Sequence, residues 1–192
     1  MPERNPAAME FLLNRRSRPA KTLRGPVPGR EALLPILTAA ARVPDHGKLE
    51  PWRFIVLEKP ALERLADLAE ARAPDLDVAP EKVAKGVAQY RDAGLAVVVV
   101  SAPVPSEKVP EIEQLYSAGA ACLGLLNAAL ASGWGANWLT GWAIYDREFL
   151  RRGLGLADHE SVAGVIVIGT ETNAPPERPR PDLDQIVSWV AS

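Results

Sequence analysis

Apolar residues recur along this chain with two periods, and the elements can be read from where one gives way to the other. "AAMEFLLNRR" (7–16), "GREALLPILTAAAR" (29–42), "ALERLADLAEA" (61–71) and "EKVAKGVAQYRDA" (81–93) carry apolar positions at helical spacing, with Pro35 expected to limit or bend the second near its start. "WRFIVLE" (52–58), "LAVVVVSA" (95–102) and "SVAGVIVIGT" (161–170) are rich in β-branched residues and read as strands, the last two buried on both faces. "PEIEQLYSAGAACLGLLNAALASG" (110–133) predicts a long helix closed by Gly133, "WGANWLT" (134–140) a short strand and "REFLRRGLG" (147–155) a short helix. The tail from Glu171 is proline-rich until "LDQIVSWV" (183–190), whose alternation predicts a strand. A lone strand after such an arm needs a sheet to join, and that sheet can belong to a second subunit. No internal repeat and no second domain is visible, so 1–192 reads as one domain of alternating helices and strands with 171–192 as its arm.

Composition narrows the partners. A net charge of −2 supplies no general field for a nucleic acid backbone. The single Cys122 excludes an internal disulfide framework and suits a reducing compartment; with "MPERNPAAMEF" lacking a signal-peptide pattern, the expectation is a cytoplasmic protein. Residues 115–145 hold no charge, which is length enough for a bilayer of roughly 20 helical residues. Five glycines, Asn127, Asn137 and Thr140 interrupt them, so a buried helix and strand, and with them a subunit interface, are expected instead of a membrane span.

Several chemistries lack their parts. Neither G-x-G-x-x-G nor G-x-x-x-x-G-K-[ST] follows a strand. His46 and His159 are the only imidazoles and no CxxC or HxxxH spacing exists, so no metal site is expected. Cys122 lies in an Ala/Gly/Leu run and reads as core, which leaves no nucleophile paired with a base. What remains is "NRRSRP" (14–19), where Arg15, Arg16 and Ser17 at the end of the first helix suit a phosphate dianion. The same residues also fit a solvated basic helix terminus complementing the macrodipole. The residues alone leave both open.

"NRRS", then "AARVPDHGKLEPWRFIV", the Ala/Gly helix ending "ASGWGANWLTG", and "VAGVIVIGT" before a Pro/Arg-rich tail resemble, in that order and over nearly the whole chain, the nitroreductase family in its small form. The resemblance implies an α+β fold with a central, mostly antiparallel sheet flanked by helices, and a homodimer with exchanged C-terminal arms. It also implies one FMN in each of two interface pockets, with NADH or NADPH as reductant. On that basis Arg15, Arg16 and Ser17 match the segment for the FMN phosphate and ribityl chain; Arg42 and His46 match flavin contacts from the other subunit; Trp138, Leu139 and Thr140 match a further flavin-binding stretch. Three departures stand out. Lys48 and Glu50 replace family positions before Pro51-Trp52; Pro19 stands where many members carry a basic residue for the flavin N1/O2 edge, a task open to Arg18 or Lys21; and Leu139 replaces an arginine, which puts Arg178 or Arg180 forward for the phosphate. The implied activity is hydride transfer from NAD(P)H through flavin N5 to nitroaromatic, quinone or similar acceptors in ping-pong fashion, with no catalytic side chain named. The alternative is a flavin-binding redox sensor or carrier without turnover.

Overall fold

The two most apolar runs of the sequence lie side by side at the centre of one sheet. In the computed structural model, which describes residues 3–191, the chain order is α1 (Pro6–Asn14), β1 (Leu23–Arg24), α2 (Arg30–Ala40), β2 (Trp52–Glu58), α3 (Lys59–Arg72), α4 (Pro80–Arg91), β3 (Leu95–Ser101), α5 (Glu111–Ala131), β4 (Gly135–Leu139), α6 (Arg147–Phe149), β5 (Ser161–Glu171) and α7 (Leu183–Ile186). A π-helical turn, Leu150–Leu154, prolongs α6. Strand β5 pairs antiparallel with β3 on one side (Ala96 opposite Val167) and β4 on the other (Gly135 opposite Gly169). Strand β2 flanks β3, and β1 pairs with the last residues of β5.

Helices cover both faces of this sheet, which is why β3 is apolar throughout instead of alternating. Ala96, Val98 and Val100, with Val165 and Val167, pack toward Leu62 and Leu65 of α3 and Tyr90 of α4. Leu95, Val97 and Val99, with Ile166 and Ile168, pack toward Ile36 of α2 and Ala121, Cys122 and Leu125 of α5. Side chains of β4 obey the same period of two. Ala136 and Trp138 join the α2/α5 core, whereas Leu139 joins the α3/α4 core and Asn137 faces the same way. Trp138 lies across Gly164 of β5, where a Cβ would overlap its indole.

Helix α5 is long and apolar enough to cross a bilayer, yet Ala118, Ala121, Leu125 and Ala129 are buried between α2 and the sheet. Three local expectations need correction. The first helix stops at Asn14 rather than Arg16. Helix α2 runs through Pro35, which sits at its middle on an exposed face rather than limiting it near its start. The strand predicted over 183–190 is a single helical turn at 183–186 followed by irregular chain. Asp182 caps that turn through the Asp184 N–H, and residues 176–191 are exposed with no strand edge beside them.

Candidate functional site

Helix α1 ends because Arg15 leaves the helical region (φ −57, ψ 144), its N–H still closing the last turn on the Phe11 carbonyl at 2.7 Å. From there the chain is laid beside β4. The Arg18 N–H donates to the Ala136 carbonyl at 2.8 Å, and the Asn137 side-chain amide donates to the Arg18 carbonyl at 2.7 Å. Within this run Arg15 and Ser17 fall on one side, the guanidinium donating to the Ser17 hydroxyl at 3.2 Å. Arg16 donates to the Pro176 carbonyl, tying the arm back to the segment. Arg18 lies 3.3 Å from the Glu171 carboxylate, so it is already committed to an internal partner.

The electrostatics of Arg15 are unbalanced. Its Nε is buried without a hydrogen-bond partner. Burial, and after it the positive charge of Arg180, hold its pKa below the ordinary arginine value. Arg180 has a carboxylate at hand, Glu177 at 3.0 Å, on the exposed arm. Two guanidiniums, an unused buried donor and a serine hydroxyl are groups whose chemistry suits an anion. Arg15, Arg16 and Arg18 line a cleft here of about 330 Å³, with Trp134, Gly135 and Glu171.

Pro19 turns the chain into a second cleft, of about 420 Å³, against α4. Leu139 and Thr140 line it with Asn137, as do Lys21, Lys85 and Gln89. Trp138 does not, because the strand period sends its indole to the opposite face. The 138–140 stretch is therefore divided, two residues on the cleft and one in the core. Gly141 allows Gln89 to approach, since a Cβ there would lie 3.0 Å from the Gln89 carbonyl oxygen.

Arg42 and His46 line neither cleft. Their loop is pinned to α5 by a relay in which the Trp52 indole donates to the Ser117 hydroxyl at 3.0 Å and Ser117 donates to the Pro44 carbonyl at 2.7 Å. Asp45 shapes the loop by accepting from the Leu49 and Glu50 N–H groups at 3.2 and 2.8 Å. Gly47, Lys48 and Glu50 adopt left-handed backbone (φ 77, 55 and 49), a conformation that only glycine takes without cost. His46 Nδ1 meets Glu113 at 2.6 Å, and His46, Arg42, Lys48 and Glu50 are all exposed. His46 is thus held as a surface feature rather than as a metal ligand, and no cluster of metal-binding side chains occurs among the described residues.

Sequence reasoning missed Lys85 and Gln89. Both sit on an amphipathic helix whose pattern explains itself by packing. The usable signal was Gln89, a polar side chain one position before the core residue Tyr90.

The site and fold can now be set beside known proteins. Residues 12–170 match the Nitroreductase family. A Haemophilus influenzae protein provisionally named an NAD(P)H nitroreductase is 38% identical over 164 residues, covering 85% of this chain and 88% of that one. The similarly named YdjA of Escherichia coli K12 is 35% identical over 167 residues, covering 85% and 87%. Among solved structures, a nitroreductase-like family protein from Bacillus cereus superposes with a TM-score of 0.78 at 20% identity over 99% of this chain and 98% of its own. One from Desulfovibrio desulfuricans, provisionally named a nitroreductase and crystallised with FMN, gives 0.74 at 23% identity, covering 98% and 99%. By sequence and by fold, the chain belongs to the nitroreductase family.

Proposed function

We propose that the protein is an FMN-dependent oxidoreductase that takes reducing equivalents from NADH or NADPH and passes them to nitroaromatic, quinone or similar electrophilic acceptors. The observation that carries this reading is Arg15, whose buried, unpartnered Nε sits beside Ser17 under the positive charge of Arg180. A terminal phosphate would relieve all of these at once: it supplies acceptors for the orphan donor and cancels the like-charge repulsion. Bound FMN would supply the hydride chemistry, exchanging hydride with nicotinamide and acceptor in alternating half-reactions.

The chain's own residues bind and orient. Arg15, Arg16 and Ser17 hold the phosphate end, with Arg180 reaching it from the arm. Leu139 and Thr140 wall the adjoining cleft for the ring, and Trp138 acts beneath them by packing β4 on Gly164. Arg42 and His46 are exposed and line neither cleft, which suits a role at the cleft of a second copy. A homodimer is supported by apolar surface that this subunit leaves open: Met9, Leu12 and Leu13 on α1, Leu115 and Leu123 on α5, and Leu183, Ile186 and Trp189 on the arm. The proposed setting is the cytoplasm, in keeping with a lone buried thiol at Cys122. No side chain is assigned as acid or base.

The test is the absorption spectrum of the purified protein, followed by identification of the flavin released on denaturation and assay of NADH and NADPH oxidation with a quinone. A yellow protein releasing FMN, with parallel double-reciprocal plots, is the expected result. A colourless protein that cannot be reconstituted with FMN refutes the reading.

A further inference from the structure

The cleft against α4 has polar features that a phosphate grip does not use. The amide nitrogen of Gln89 is buried and has no hydrogen-bond partner, an arrangement that is costly unless something accepts from it. Lys21, from the turn after Pro19, and Lys85, one helical turn before Gln89, line the same cleft from two separate elements. Neither ammonium has an ion-pair or hydrogen-bond partner among the described residues, although Asp92 also lines the cleft. Most of the remaining wall is apolar, from Pro19, Leu139 and Val167, with Asn137 and Thr140 adding polar atoms at one end of β4. An apolar slot with an unused amide donor and two unpaired cations suits a planar ring that carries acceptor atoms along one edge and gains negative charge on reduction.

Resting on the FMN reading above, we infer that Gln89 holds the pyrimidine edge of the flavin ring through its amide N–H, while Lys21 and Lys85 together supply positive charge at its N1/O2 side. Arg18 lines the other cleft, 3.3 Å from the Glu171 carboxylate, and not this one. The cationic edge is thus a clasp between the turn after Pro19 and α4. Gln89 is a binding residue here, and the lysines bias the ring toward its reduced, more negative state.

Two measurements besides turnover test this. Lumiflavin, which has the ring without ribityl or phosphate, reads the ring site alone, and the two-electron midpoint potential of bound FMN reads the charge at its edge. Gln89→Met should weaken lumiflavin and FMN by a similar factor, about tenfold. Lys21→Gln combined with Lys85→Gln, both exposed and therefore safe for the fold, should weaken reduced relative to oxidised FMN about tenfold, a drop in potential of about 30 mV. An unchanged potential and unchanged lumiflavin affinity, with FMN bound as tightly as in the unaltered protein, overturn the assignment while leaving the FMN reading intact. Failure of the unaltered protein to bind FMN overturns both.

Discussion

Arg15→Ala should weaken cofactor binding while leaving the stability of the flavin-free protein nearly unchanged or slightly raised. In the folded chain the Arg15 guanidinium makes one hydrogen bond, to the Ser17 hydroxyl at 3.2 Å. Against it stand a buried Nε without a partner and the repulsion of Arg180, both of which depress its pKa. A neutral-acceptor hydrogen bond from a charged group contributes about 1.5–3 kcal/mol at best, and the orphaned donor costs about 1–3 kcal/mol. The two nearly cancel. Truncation should therefore leave the melting temperature of the apoprotein within a degree or two, or raise it. With FMN the balance changes, since the same donors gain a dianion. Loss of charge-assisted contacts worth about 1.5–3 kcal/mol lowers FMN affinity about 10- to 150-fold. Riboflavin, which lacks the phosphate, should bind both proteins alike. Fluorescence titration with the two flavins, together with melts of the apoproteins, separates the effects. Equal losses for FMN and riboflavin, or a marked fall in apoprotein stability with FMN affinity unchanged, would show that Arg15 is a structural arginine.

Other consequences are as direct. The Glu160 carboxyl is held at about 2, well below its ordinary 4.5, chiefly by the Arg53 hydrogen bond and further by the Ala157 N–H. Its depressed pKa makes stability that is present above pH 4.5 and lost as pH falls toward 2; about 3 kcal/mol follows from the interval, reduced to about 1–2 kcal/mol because the Arg53 side chain is 42% exposed. Denaturant titrations should show this decline between pH 4.5 and 2 and a flatter profile for Glu160→Gln; matching profiles would refute it. Gly164→Ala should cost about 1–3 kcal/mol by overlap with the Trp138 indole, part of it recovered by adding Trp138→Leu, and additive effects in that double-mutant cycle would disprove the contact. Truncation after Thr172 keeps the hydrogen bond from its N–H to Thr22 and so should preserve the fold while removing Arg180, lowering FMN affinity and shifting the protein from dimer to monomer in size-exclusion chromatography; a dimer with full affinity would make the arm dispensable.

The parts of the fold that were legible in the sequence are those in which one local preference acts unopposed. Residues 95–101 and 161–171 combine β-branched side chains with burial on both faces, so propensity and packing agree. The arm failed for the opposite reason. Its alternation over 183–190 was real, yet Asp182 offers a cap and no neighbouring edge offers a ladder, so the local cap decided. Strand β1 spans only Leu23–Arg24 and exists because β5 outruns β3, a tertiary fact without a pattern. At the site, Arg15 to Ser17 were legible because charge and hydroxyl cluster in sequence. The second cleft was not, since Lys21, Lys85 and Thr140 come from three separate places in the chain. Trp138 shows a further limit: strand parity turns it into the core while its neighbours Leu139 and Thr140 line the cleft, a division that adjacency in sequence conceals.

Cys122 turns the α5 core into a clock. The thiol is fully buried and burial pushes it up to about 12, so at neutral pH only about one molecule in 10⁵ carries the reactive thiolate, and that one is shielded. A disulfide reagent can reach it only when α5 lifts from the sheet. Because the chain has no other cysteine, a labelling trace, read without mutagenesis or a fluorophore, reports the free energy of that opening when reclosing outpaces the reagent and its rate when the reagent outpaces reclosing. Where reclosing is fast, a ligand that binds only the closed subunit slows the trace in proportion to the stability it adds, which gives an optical measure of occupancy even for compounds that are colourless themselves.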